Sequence, residues 1–137
     1  MRRVLSFSEM LRTYRLKGRT LLALLQKGDD ITLRFDLYHC DDPDRCEDGI
    51  EYLLDVAVSR EQFRILDGAG ECLHEKFSAD LLAAEISGNE LRLVADCTFY
   101  VSRNRDVVTI ALTGGEAALK EYPPEKWAEA RNTSCYA

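Results

Sequence analysis

The sequence predicts an α+β fold, in which an N-terminal helix packs on a curled antiparallel meander sheet of about seven strands and a short helical segment follows at the C-terminus. Apolar residues recur at helical spacing near the N-terminus, and apolar and polar residues alternate with a period of two from Ile31 to Leu112. The connections between the alternating runs are short and contain Gly, Asn or Asp, as in antiparallel hairpins. At 137 residues, the chain is predicted to form a single domain, residues 1–137.

The N-terminal helix is predicted from about residue 7 to residue 27. Ser6 and Glu9 form a capping-box pattern at its start, because each side chain can satisfy a backbone N–H of the first turn. Gly18 occupies a position where the helical pattern expects an apolar side chain, so a bend or break is expected there. The alternative is that residues 19–26, RTLLALLQ, form a buried strand, since short apolar runs fit either structure.

Seven segments with strand character follow the helix. In the first of them, Ile31, Leu33, Phe35, Leu37 and His39 share one face. A meander of such strands buries one face and leaves the other partly in water, and we expect the N-terminal helix to cover the buried face. In chain order, the segments are ITLRFDLYH, IEYLLDVAV, FRIL, ECLHEKF, LLAAEIS, ELRLVADCTFYVS and DVVTIAL.

A short helical segment is predicted after the last strand. Thr113 and Glu116 form a second capping-box pattern, and the helix should run to about Tyr122. The prolines at 123–124 should stop it there, before it resumes through PEKWAEAR. Trp127 is the only tryptophan, and we expect it to dock this segment on its own domain.

Charge is distributed unevenly along the chain. Residues 1–27 carry seven basic side chains and one acidic side chain, whereas the remaining 110 residues carry 23 acidic and 11 basic ones, within a total net charge of −6. Such separation bears on surface potential and on partners. No run of 18 apolar residues and no signal-peptide pattern occurs, so we expect a cytoplasmic protein without membrane contact. The odd number of cysteines, five, fits a reducing compartment.

The stretch HCDDPDRCEDG, residues 39–49, is the most unusual part of the sequence. Our interpretation is a hydrated connection between two strands, whose crowded carboxylates would attract a basic partner. A disulfide between Cys40 and Cys46 and a calcium loop starting at Asp44 are alternatives, but the compartment disfavours the first and Cys46 replaces a carboxylate ligand in the second. The carboxylates are Asp41, Asp42, Asp44, Glu47 and Asp48.

Zinc is a further alternative for this stretch. Histidine and cysteine are suitable ligands, but adjacent residues of a strand point to opposite faces and cannot share one ion, and no C-x-x-C pair occurs. Cys97, in contrast, is predicted to be a small core residue. The residues that the zinc alternative would use are His39, Cys40, Cys46, Cys72 and His74.

The arginines of the predicted N-terminal helix form a second candidate surface. Arg12, Arg15 and Arg19 lie three and four residues apart and would share one helical face, a pattern that could contact phosphates. The acidic balance of the whole chain disfavours nucleic acid, however, and a solvated helix face is the simpler interpretation. Cys72 and His74 lack a third group that would make them catalytic, and Gly114–Gly115 lacks the other residues of a nucleotide-binding loop.

The sequence therefore predicts a non-catalytic domain that binds another macromolecule, and a protein rather than nucleic acid. One form of this hypothesis is an acidic inhibitor or regulator whose carboxylates enter a basic groove of its partner. A small-molecule-binding domain with the ligand inside the curled sheet is the second hypothesis, and a structural homo-oligomer is the third. No enzymatic activity and no cofactor are expected.

Overall fold

The computed structural model describes residues 3–38, 51–68 and 76–123, and strands make up 69% of it. A 3-10 turn, Arg60–Gln62, connects the strands Glu51–Ser59 and Phe63–Asp67. The elements in chain order are β1 (Arg3–Ser6), α1 (Phe7–Thr13), β2 (Thr20–Lys27), β3 (Asp30–Tyr38), β4 (Glu51–Ser59), β5 (Phe63–Asp67), β6 (Phe77–Ser87), β7 (Glu90–Phe99), β8 (Arg105–Leu112) and β9 (Glu116–Tyr122).

The nine strands of the described residues form one antiparallel sheet in the order β1-β9-β4-β3-β2-β6-β7-β8-β5. The three-residue connections 60–62 and 113–115 each join strands that lie six places apart in this order. Six places on a flat sheet would span about 29 Å at the usual strand spacing. Four peptide steps reach at most about 14 Å, so the sheet must roll until its two ends approach each other.

Gln62 fixes the two ends of the rolled sheet beside each other. Its Oε1 accepts hydrogen bonds from the backbone N–H and the hydroxyl of Ser59, at 3.0 and 3.1 Å. Its Nε2 donates to the carbonyl of Thr113 at 2.8 Å, and the Thr113 N–H donates back to the Gln62 carbonyl at 2.8 Å. A Cβ at Gly114, where φ is +88°, would lie 2.5 Å from Gln62 Nε2, so this turn requires glycine.

The inward face of the rolled sheet encloses one apolar core, to which α1 contributes Phe7 and Met10. The predicted period-two alternation is confirmed in β3 and β4, and the predicted burial of Cys97 is confirmed as well. Helical and strand residues thus meet in a single interior. The alternating residues buried in β3 and β4 are Ile31, Leu33, Phe35, Leu37, Tyr52, Leu54, Val56 and Val58.

The predicted α+β class is wrong, because the N-terminal helix ends at Thr13 and residues 20–27 form β2. The alternative of a buried strand at residues 19–26 describes this segment better. Gly18 adopts φ +81°, a conformation that interrupts a helix, and the apolar run after it pairs with β3. The cap at Ser6 is confirmed, since its side chain accepts from the Glu9 N–H at 3.1 Å.

The predicted C-terminal helix from Thr113 to Tyr122 is also wrong. Residues 116–122 form β9, which lies between β1 and β4 and buries alternate residues such as Leu119. The seven-strand meander is therefore replaced by nine strands with two connections that span the rolled sheet. Residues 124–131, the predicted continuation of the helix with Trp127, lie outside the described residues.

Candidate functional site

Most of the residues predicted to form a site lie outside the described part of the chain, and the structure leaves those predictions as they stand. In the parts that the structure describes, no group of three or more His, Cys, Asp or Glu residues could hold a metal ion. No helix of the described residues is long and apolar enough to cross a membrane. The undescribed site residues are His39, Cys40, Asp41, Asp42, Asp44, Cys46, Glu47, Asp48, Cys72 and His74.

The three arginines of the candidate basic surface are described, but they do not share a helical face. Arg12 lies in the last turn of α1, whereas Arg15 and Arg19 follow the end of the helix at Thr13. Residues 14–19 form an irregular segment that leads from α1 to β2, and we call this segment, together with the last two helical residues 12–13, the basic turn. As partner contacts, these arginines remain a prediction.

The backbone of the basic turn is hydrogen-bonded to β6, next to the short pairing of β2 with β6. We call this place the junction of β2 and β6. The Gly18 N–H donates to the carbonyl of Leu81 at 2.8 Å, and the Leu81 N–H donates to the carbonyl of Arg19 at 2.9 Å. Tyr14 and Leu16 of the same segment are buried in the core. The basic turn is therefore anchored both by hydrogen bonds and by apolar packing.

Three of the four charged side chains of the basic turn point into solvent, whereas Arg19 is half-buried. Arg12, Arg15 and Lys17 are exposed, and no ion pair or hydrogen bond in the described residues holds their side chains. The sequence contains no acidic residue between Glu9 and Asp29. These cations therefore concentrate positive potential at one place on a chain that is acidic overall.

An apolar side chain lies next to this positive surface. Leu82 follows Leu81 in β6 at a bulge, and 49% of its surface is exposed. Next to the bonds with Leu81, Thr20 of β2 pairs with Asp80 of β6. A carboxylate therefore lies at the border of the positive surface. The candidate site thus combines exposed cations with one apolar contact, and its positive area is limited in size.

Tyr14, which is buried, anchors the basic turn through a polar cluster with two partly exposed side chains. Its hydroxyl donates to Glu121 Oε2 at 2.9 Å and accepts a hydrogen bond from the Arg3 guanidinium. Arg3 also lies 3.6 Å from Glu121 Oε2, so the three side chains tie β1, the basic turn and β9 together. Burial, and next the hydrogen bond to Glu121, raise the pKa of the Tyr14 hydroxyl to about 12.

The raised pKa of Tyr14 predicts a loss of stability at alkaline pH. An unfolded tyrosine ionises near pH 10, whereas folded Tyr14 keeps its proton to about pH 12. The stabilisation that comes from the protonated Tyr14 hydroxyl is therefore fully present below pH about 10 and is lost as the pH rises through about 12. Urea unfolding across this range should show a smaller fall in the free energy of unfolding for Tyr14→Phe than for the natural protein.

The exposed Tyr100 provides the matched control for this experiment. Tyr100→Phe should keep the pH dependence of the natural protein, because more than half of the Tyr100 surface, 54%, is exposed. An alkaline fall that is equally steep in Tyr14→Phe and in the natural protein would contradict the assigned role of Tyr14.

Two polar features are buried: the Cys97 thiol in the core, and an ion pair on the outward face of the sheet. Burial, with the nearby charges of Asp96 and Asp106, raises the pKa of the Cys97 thiol to about 12, so this cysteine is a poor nucleophile at neutral pH. Arg34 and Asp55 form a buried two-bond ion pair, with distances of 2.7 and 2.8 Å, which the sequence did not predict. Neither feature opens onto the candidate site.

Comparisons of the chain with protein-family models, with curated proteins and with solved structures find no match.

Proposed function

We propose that this protein is a non-catalytic domain that binds an acidic partner protein, with the basic turn as its contact surface. The observation that carries the proposal is that Arg12, Arg15 and Lys17 are exposed, and form no ion pair with any described residue, on a backbone anchored to β6. Charges held in place before binding favour association because they speed the encounter and because the backbone loses little freedom.

A protein partner is favoured over nucleic acid by two properties of the surface. Leu82 offers an apolar contact beside the cations, which suits a protein interface better than a phosphate backbone. The net charge of −6 and the adjacent Asp80 would repel an extended polyanion beyond the basic turn.

Two further parts of the proposal depend on the sequence alone. If the protein is an inhibitor or regulator, its carboxylates at 41–48 would enter a basic groove of the partner. This form of the proposal allows a second contact with the partner through the basic turn. A cytoplasmic location is supported by the odd cysteine count.

The test compares two variants that each lose three positive charges. The first changes Arg12, Arg15 and Lys17 to Gln, and the control changes Lys27, Arg60 and Lys76 to Gln at exposed positions elsewhere. Each immobilised protein is incubated with cell extract at low and at high salt, with and without nuclease, and the retained proteins are quantified by mass spectrometry.

We expect a set of acidic proteins that the natural protein and the control retain, that salt releases, and that the first variant binds about tenfold more weakly. Equal retention by the two variants would contradict the role of the basic turn. Retention that nuclease abolishes would identify nucleic acid as the partner and would overturn the proposed protein partner.

A further inference from the structure

The two halves of the rolled sheet differ in how their outward faces meet the solvent. In β6, β7 and β8, outward side chains such as Asp80, Arg92 and Val107 are exposed. None of the outward residues of β2, β3, β4 and β9 that follow is exposed, and we call this set the covered face. It comprises Ala23, Leu25, Thr32, Arg34, Asp36, Leu53, Asp55, Ala57, Ala118, Lys120 and Tyr122.

Leu25 shows that another layer lies over the covered face. Only 5% of its surface is exposed, although it lies outside the core cluster. The strand register places Thr32 directly opposite it, with Ala57 and then Ala118 farther along the same row. These small side chains cannot shield a leucine from above, because side chains of a sheet stand roughly perpendicular to it.

The burial of charge on this face leads to the same conclusion. Arg34 and Asp55 are 6% and 9% exposed, and Tyr122 beside them is 3% exposed, with its ring centroid 5.8 Å from Arg34 Cζ. An outward-facing ion pair normally stays hydrated, since removing it from water is costly. Lys120 Nζ lies 4.9 Å from the centroid of the Tyr122 ring and covers part of this group, whereas α1 packs on the inward side and gives the ion pair no cover.

We propose that the C-terminal segment, residues 124–137, docks on the covered face with Trp127 as its apolar anchor. The described chain ends at Pro123, directly after Tyr122, which itself belongs to the covered face. The 14 remaining residues would reach about 21 Å as a helix and about 46 Å when extended. The distance from Tyr122 to Leu25 across the covered face is about 20 Å from strand rise and spacing. The segment is therefore long enough to reach Leu25.

The composition of residues 124–137 favours this segment over residues 39–50 as the occupant. Residues 124–137 bring Trp127 and Tyr136 and are balanced in charge, with two acidic and two basic residues. Residues 39–50 bring five carboxylates, which would lie against Asp36 and Asp55. The C-terminal segment therefore covers the leucines and the ion pair at a lower electrostatic cost.

Trp127 makes the proposal testable, because it is the only tryptophan of the chain. Its fluorescence reports on the segment alone, and quenching by iodide measures how far water reaches its ring. In the intact protein, we expect iodide to quench Trp127 several-fold less than it quenches free tryptophan amide. Quenching as strong as that of the free amide would overturn the proposal.

Variants of the two outward faces identify where Trp127 docks. Leu53→Asp places a charge on the covered face, and Val94→Asp is the matched control on the outward face of β7, since both residues are half-buried. Leu53→Asp should raise the quenching of Trp127 several-fold, whereas Val94→Asp should leave it unchanged. Equal quenching in the two variants would place Trp127 elsewhere. If circular dichroism shows that Leu53→Asp is unfolded, Ala118→Lys makes the same comparison.

Discussion

Replacing Asp55 by Ala is expected to lower the free energy of unfolding by about 3–5 kcal/mol. The change removes the two hydrogen bonds that Arg34 donates to Asp55, at 2.7 and 2.8 Å, and takes a paired carboxylate away from a buried guanidinium. Urea unfolding followed by circular dichroism measures the loss. The effect should be among the largest of any single polar substitution in this chain.

An exposed ion pair of the same geometry is the control for this prediction. Arg105 donates two hydrogen bonds to Asp96, at 3.1 and 2.7 Å. These hydrogen bonds are the main reason why the pKa of the Asp96 carboxyl is lowered. Water can replace a lost partner at the surface, so Asp96→Ala should destabilise the protein far less. Equal losses for Asp55→Ala and Asp96→Ala would contradict the burial of the Arg34–Asp55 pair.

The second large effect is expected from Phe99→Ala, which should cost about 3–5 kcal/mol of stability. Phe99 is fully buried at the end of β7, and its ring centroid lies 6.0 Å from that of Phe77 on the neighbouring strand. Truncation removes apolar burial and leaves a cavity between β6 and β7. Urea unfolding of the variant measures this cost.

Val101 lies two residues away and serves as the control for Phe99. Because 73% of its surface is exposed, Val101→Ala should change the free energy of unfolding by no more than about 0.5 kcal/mol. A Phe99→Ala variant as stable as Val101→Ala would show that the end of β7 does not contribute to the core.

Six of the nine strands, β3 to β8, could be predicted from the sequence, but β1, β2 and β9 could not. The alternation in β3 and β4 reflects one buried and one polar face, which a period of two reports directly. In contrast, β2 is apolar on both faces, so its sequence fits a buried helix equally well. The composition of β9, EAALKEY, favours a helix, and its pairing with β1 and β4 overrides that preference.

Two of the three exposed cations of the candidate site, Arg12 and Arg15, were predicted from the sequence, whereas Lys17 and the support of the site were not. The clustering of Arg12, Arg15 and Arg19 is visible in the sequence, whereas the break at Gly18 and its bond to Leu81 are tertiary features. The Arg34–Asp55 pair was missed for a related reason. Both residues occupy polar positions of alternating strands, and such positions are expected to be hydrated unless a further layer covers them.

The basic turn can present its charges from a fixed position only if it is bonded to β6. Hydrogen exchange measured residue by residue by NMR tests this most directly, because the amides of Gly18 and Leu81 form the two bonds of the junction. We expect both amides to exchange many-fold more slowly than in an unstructured peptide of the same sequence. Exchange of both amides at the rate of that peptide would contradict an anchored basic turn and the binding surface proposed for it.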